Sequence, residues 1–149
     1  DREVDNANLN YNLCNFWKRL KAIQEVSEES WWADLVEVVD RTFRIQRNLD
    51  KETSLDESLL KEEMEERLAD LINENSTKIL DLFESKKYEE AAREYCSIFA
   101  QPVHDFFEEV FVNVENEALR QNRKALCRKI FNLFADHFAN LYLVEDAGN

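Results

Sequence analysis

The sequence predicts an all-α protein, a helical bundle of about six helices. Three observations lead there. The 149 residues include one Gly (Gly148) and one Pro (Pro102), and strands joined by tight turns need those residues. Apolar residues recur at spacings of three and four along most of the chain. A hydrophobic content of 44% at this length is enough to fill one core, which argues against disorder.

The first helix is expected over residues 10–26, where Leu9, Leu13, Phe16, Leu20 and Ile23 form a stripe. Ser27-Glu28-Glu29-Ser30 breaks it, and Trp32, Leu35, Val36, Val39 and Phe43 outline a second helix over 31–49. Ser54 followed by Glu57 reads as a capping box that opens a third helix over 56–84, with acids crowding its first turns as the helix dipole favours. Glu62, Glu63, Glu65 and Glu66 point around that helix rather than converging, so they read as a solvated face with no chemistry.

Tyr88, Ala91, Ala92, Tyr95, Ile98 and Phe99 outline a fourth helix whose alanines admit a close neighbour. It should end near Ala100, because Pro102 suits the first turn of a fifth helix reaching about Val112. Asn116 can cap the last helix, whose stripe is Leu119, Leu126, Ile130, Leu133, Phe134, Phe138 and Leu141.

That last helix reverses the local charge. The chain carries a formal net charge of −13, yet residues 118–135 contain Arg120, Arg123, Lys124, Arg128 and Lys129 and no acid. Asn122 and Arg123 fill the stripe between Leu119 and Leu126, where a polar pair costs stability unless it is hydrogen-bonded or opens onto a groove. It marks either a local polar network or a binding site. Arg120, Lys124 and Arg128 form a separate row spanning roughly 12 Å. The row fits an RNA backbone or an acidic neighbour, and it equally fits a face paired to the chain's own surplus acids.

Several functions are excluded or disfavoured. Residues 1–147 hold no glycine, so no phosphate-cradling loop of the P-loop or dinucleotide type can form. Cys14, Cys96 and Cys127 lack C-x-x-C spacing, which argues against a disulfide framework or zinc site and suits three partly buried thiols in a reducing cytoplasm. His104 and His137 lack local partners and are expected to be structural, so neither a metal site nor a catalytic residue is assigned. No run of 18 apolar residues occurs, and Asp1-Arg2-Glu3 is no signal peptide, so no membrane association is expected and a piece cut from a longer soluble protein is.

Residues 102–134, "PVHDFFEEVFVNVENEALRQNRKALCRKIFNLF", resemble the C-terminal segment of the glycyl-tRNA synthetase β subunit of bacterial type. The resemblance runs through Pro102, Val103, Phe106, Phe107, Val110, Val112, Leu119, Arg120, Asn122, Arg123 and Leu126. "KRLKAI", "DLVEVVDRTFRIQRNL" with Arg41, Ile45 and Arg47, "SLDESLLKEEMEERL" and "KKYEEAAREY" follow in register. The chain departs from the family pattern at Asp40, Arg44, Phe111, Asn113 and Lys124.

The resemblance implies a DALR-like helical anticodon-binding domain over 31–149, with residues 1–30 linking to a preceding domain. Such a domain binds tRNA-Gly and performs no chemistry, so no cofactor is expected here. In the full enzyme a class II α subunit, or fused α domain, attaches glycine using ATP with Mg. The partners implied are that α part and the rest of the β subunit, in the cytoplasm, with no DNA. Arg120, Lys124 and Arg128 are candidates for RNA phosphates, Arg41, Arg44 and Arg47 for a second bank, and Asn122 and Arg123 for a base or the adjoining loop. The alternatives are the corresponding domain of the arginine enzyme, or a helical protein-interaction module.

Overall fold

The computed structural model describes residues 2–138, with side chains from residue 12. Its helices are α1 (Arg2–Ser27), α2 (Trp32–Gln46), α3 (Glu63–Glu84), α4 (Tyr88–Glu109) and α5 (Glu117–Ala135), with a 3-10 turn at Glu57–Leu59 between α2 and α3. The described residues contain no strand, as expected from the scarcity of turn residues. None of their helices is long and apolar enough to cross a membrane. Leu141 of the expected last stripe, and the side chain of Leu9 in the first, lie outside what is described.

α4 is the central element, in contact with α1, α2, α3 and α5, while α5 packs mainly on α2 and α3. Ala91, Ala92, Tyr95, Phe99 and Phe106 of α4 are fully buried, and the two alanines supply the close approach. Tyr95 donates its hydroxyl to the Ile130 carbonyl at 2.8 Å, which ties α4 to α5 without leaving a buried phenol unpaired. Phe134 lies between Tyr95 and Phe138 with ring centroids 5.0 Å from each, tilted against the first and edge-on to the second. From α5, Leu126, Ile130, Leu133 and Phe134 are buried as its stripe requires, Phe138 is buried just past its end, and Leu119 is half-buried.

Pro102 does not start a helix; it sits inside α4, so the expected fourth and fifth helices are one. A proline within a helix forfeits one backbone hydrogen bond and costs about 3 kcal/mol. The apolar stripe runs through it unbroken as Phe99, Val103 and Phe106, all buried. Each such side chain contributes about 1.5–3 kcal/mol by burial. The packing outweighs the proline, and the helix continues.

Two other boundaries differ. The expected capping box at Ser54 and Glu57 is absent, because Asp56 is held extended (φ −106°, ψ 105°) and caps only the short 3-10 turn through Ser58. α3 begins at Glu63 instead, after a second break. In α1 only the end of the stripe packs: Leu13, Phe16 and Leu20 are exposed, while Ile23 lies half-buried against the core beside the buried Ala22 and Val26. Cys14 is also exposed, whereas Cys96 and Cys127 are buried.

α3 and α4 meet in a tight turn. The Lys87 N–H donates to the Leu82 carbonyl at 2.9 Å and the Lys86 N–H to Phe83 at 3.0 Å, the paired bonds of a Schellman C-cap. The motif needs a left-handed residue, and Lys86 supplies it with φ 62°. A side chain bearing Cβ pays a steric penalty there that glycine avoids. Lys86→Gly is therefore expected to be more stable than Lys86→Ala by about 0.5–1 kcal/mol, seen as a higher urea midpoint with unchanged m. A lower midpoint would contradict this reading of the turn.

Candidate functional site

The polar residues of α5 face two connecting segments, residues 47–62 before α3 and residues 110–116 before α5. Asn116 starts the helix by accepting the Leu119 N–H at 3.1 Å. From there the helix presents Arg120, Asn122, Arg123 and Arg128 to backbone groups of those segments. The hydrogen bonds place Asn122 and Arg123 in a buried local polar network, one of the two alternatives the sequence left open.

Asn122 grips the backbone of Asp56 at both ends. Its Oδ1 accepts the Asp56 N–H at 2.7 Å, and its Nδ2 donates to the Asp56 carbonyl at 2.9 Å. This clasp pins residue 56 in its extended conformation. It is the physical reason that a helix does not start at the Ser54 signal.

Arg123 Nε donates to Glu65 Oε1 at 2.6 Å and Nη1 to the Phe111 carbonyl at 2.9 Å. Its Nη2 lies 3.7 Å from Glu62. Glu65 turns its other oxygen, Oε2, to the backbone N–H groups of Lys61 and Glu62, both at 2.8 Å. One carboxylate thus satisfies the orphan donors that open α3 and pairs with a cation on α5. With only 1% exposed, Glu65 departs from the expected solvated face, while Glu62, Glu63 and Glu66 are exposed as expected. The signal was present: Glu65, Leu68, Ala69 and Ile72 recur at helical spacing, and all are buried.

Burial pushes the Glu65 carboxyl up, but the Arg123 hydrogen bond, the two backbone N–H groups and the Arg123 charge together hold it below its ordinary value. Glu65 is consequently ionised at neutral pH. An ionised carboxylate is what a buried guanidinium requires.

The cation row is partly occupied. Arg120 Nη1 donates to the Val114 carbonyl at 2.9 Å. Arg128 Nη1 donates to the Asp50 carbonyl at 2.9 Å, and its Nη2 to that of Thr53. Lys124, half-buried between them, makes no side-chain hydrogen bond or ion pair with another described residue. On α2, Arg41 pairs with Glu37 at 3.1 Å and lies over the Phe107 ring at 4.5 Å. Arg44 pairs with Asp40 at 2.7 Å, and Arg47 is exposed with no such bond among the described residues.

Among the described residues no group of three His, Cys, Asp or Glu side chains could hold a metal ion. Burial pushes the Cys96 thiol up to about 11, with the Asp34 charge adding to it, and the Cys127 thiol up to about 12. Neither is a thiolate nucleophile at neutral pH. His137 stacks on Phe83 at 5.8 Å, and His104 lies 3.7 Å from Glu37. A cleft of about 580 Å³ between α2 and α4 is lined by Trp31, Arg41, Arg93, Gln101 and His104 among others.

Residues 37–142 match the DALR anticodon binding domain family. The glycine–tRNA ligase beta subunit of Marinobacter nauticus is 35% identical over 95 residues, covering 64% of this chain and 13% of that subunit. The Thermotoga maritima subunit is 32% identical over 125 residues, 84% of this chain and 18% of its own. That of Aliivibrio fischeri is 32% identical over 134 residues, 89% of this chain and 19% of its own. The chain spans about a fifth or less of the length of these curated relatives.

The network gives a graded set of expectations. Arg123→Ala leaves a buried carboxylate unpaired and is expected to cost about 3–5 kcal/mol. Asn122→Ala strands a peptide group and should cost about 1–3 kcal/mol, while Arg123→Met combined with Glu65→Leu should recover much of the first loss. Because folding lowers the Glu65 pKa, its contribution is full above the ordinary glutamate value of about 4.3 and is lost as pH falls through the folded value. Urea titrations between pH 3 and 7 test both points. Equal acid sensitivity in the wild type and the apolar double variant would contradict the pairing.

Proposed function

The chain belongs to the DALR anticodon-binding domain family, and from that premise we propose that it is the tRNA-binding domain of a glycine–tRNA ligase β subunit. Its relatives carry that name, and the family match over 37–142 is the observation that carries the reading. Residues 31–149 are then the anticodon-binding domain, with α1 leading into the remainder of the subunit. Attachment of glycine, with ATP and Mg, belongs to a class II α subunit or fused α domain. The work is done in the cytoplasm, on tRNA-Gly.

In this reading α5 has two jobs. Asn122, Arg123, Arg120 and Arg128 hold the segments at 47–62 and 110–116 in fixed positions, so the surface offered to RNA needs little ordering on contact. Lys124 and Arg47 supply charge to phosphates, joined by the charges of Arg120, Arg128, Arg41 and Arg44. Anticodon loops are single-stranded, and proteins hold their phosphates with Arg and Lys while bases are splayed for reading.

The net charge of −13 sets a limit on this function. Non-specific affinity for nucleic acid comes mostly from positive charge, so the domain by itself binds weakly. Its contribution is realised when other parts of the enzyme hold the tRNA and raise its effective concentration.

Replacing Lys124 and Arg47 together by Ala in the full-length enzyme tests this directly. The KM for tRNA-Gly should rise several-fold with kcat nearly unchanged, and the log–log salt slope of binding should fall by about 1.4. Stability should change little, since neither side chain makes a hydrogen bond or ion pair with another described residue. Unchanged KM and slope would remove these cations from the RNA contact.

A further inference from the structure

Phe111 is the most exposed large apolar side chain among the described residues, at 73%. It lies in the segment between α4 and α5, and that segment is held firmly. Val110 and Val112 on either side are buried, and the Val110 N–H closes the end of α4 on the Phe106 carbonyl at 2.8 Å. The carbonyl of Phe111 itself accepts from the buried Arg123 guanidinium, and that of Val114 from Arg120. The backbone is clamped from inside while the ring is turned to water. An aromatic presented this way binds a flat partner without first having to be ordered.

We propose that Phe111 is a stacking platform for one unpaired nucleobase of the RNA, an inference that rests on the tRNA-binding function above. Stacking on an exposed aromatic ring is how single-stranded bases are commonly held. The surroundings narrow the ligand further. Glu108, Glu109 and Glu115 are exposed nearby in sequence, so this tip repels phosphate and takes a base splayed away from its backbone. Carboxylates accept hydrogen bonds from exocyclic amino groups, as from cytosine N4. Glycine codons begin with two guanines, so the matching anticodon presents two cytosines, each with such a group.

The test uses the full-length ligase with Phe111→Leu and Phe111→Tyr, and tRNA-Gly carrying fluorescent pyrrolo-cytosine at either anticodon cytosine. Phe111→Leu should raise KM for tRNA-Gly roughly five- to a hundred-fold with little change in kcat, while Phe111→Tyr stays close to wild type. Binding should quench the probe in the wild type and in Phe111→Tyr, and leave it bright in Phe111→Leu. If Phe111→Leu matches wild type in KM and quenching while the Lys124 and Arg47 variant raises KM, the domain binds tRNA and the stacking proposal is overturned. If neither variant moves KM, the tRNA-binding function fails and the proposal falls with it. If Phe111→Leu changes only subunit assembly, read by sedimentation, the ring is a protein contact and the proposal is likewise overturned.

Discussion

Glu65 and Arg123 lie fifty-eight positions apart and meet at 2.6 Å with almost no exposure, and most of what the connecting segments do depends on that contact. A buried ion pair is rarely favourable over an apolar one, since each charge loses its water. Here both partners make further hydrogen bonds. Glu65 also caps the start of α3, and Arg123 also holds Phe111, so one pair fixes where a helix begins and where a loop ends. Asn122, its neighbour on α5, adds the clasp on Asp56. Removing any one of these groups leaves others stranded, which makes the arrangement cooperative.

The last helix could be read from sequence in most respects. Its cap, its stripe from Leu126 to Phe138 and the intrusion of Asn122 and Arg123 all follow from local spacing, and the fold class follows from the scarcity of Gly and Pro. What could not be read was the distant partner: Asn122 and Arg128 hold backbone atoms 66 to 78 residues away, and Arg123 meets a carboxylate 58 residues away. The Ser54 cap failed for the same reason: a local signal lost to a tertiary clasp on Asp56. Pro102 failed because burial of Phe99, Val103 and Phe106 outweighs one missing hydrogen bond. Glu65 is different. Its register with Leu68, Ala69 and Ile72 placed a charge on an apolar face, matching Arg123 on the facing helix, and the two intrusions together imply a pair.

The basic run of α5 therefore separates into unlike parts. Arg120, Arg123 and Arg128 direct guanidinium donors onto carbonyls, a use for which a planar fork with five N–H groups is suited and an ammonium is not. Lys124, the lysine between them, is left with its charge unpaired among the described residues. The proposed division between holding and contacting RNA follows this difference in chemistry rather than the sum of charges. It also explains how an acidic domain can present a small basic surface at fixed positions.

The central claim is that α5 holds the two segments rigidly from within. Native-state hydrogen exchange of the Asp56, Lys61 and Glu62 amides measures it most directly, since their hydrogen bonds go to Asn122 and Glu65 side chains rather than to a helix or sheet ladder. Protection approaching that of the α5 core amides is the expected result. Exchange at the rate of an open loop, with the α5 core still protected, would contradict the claim.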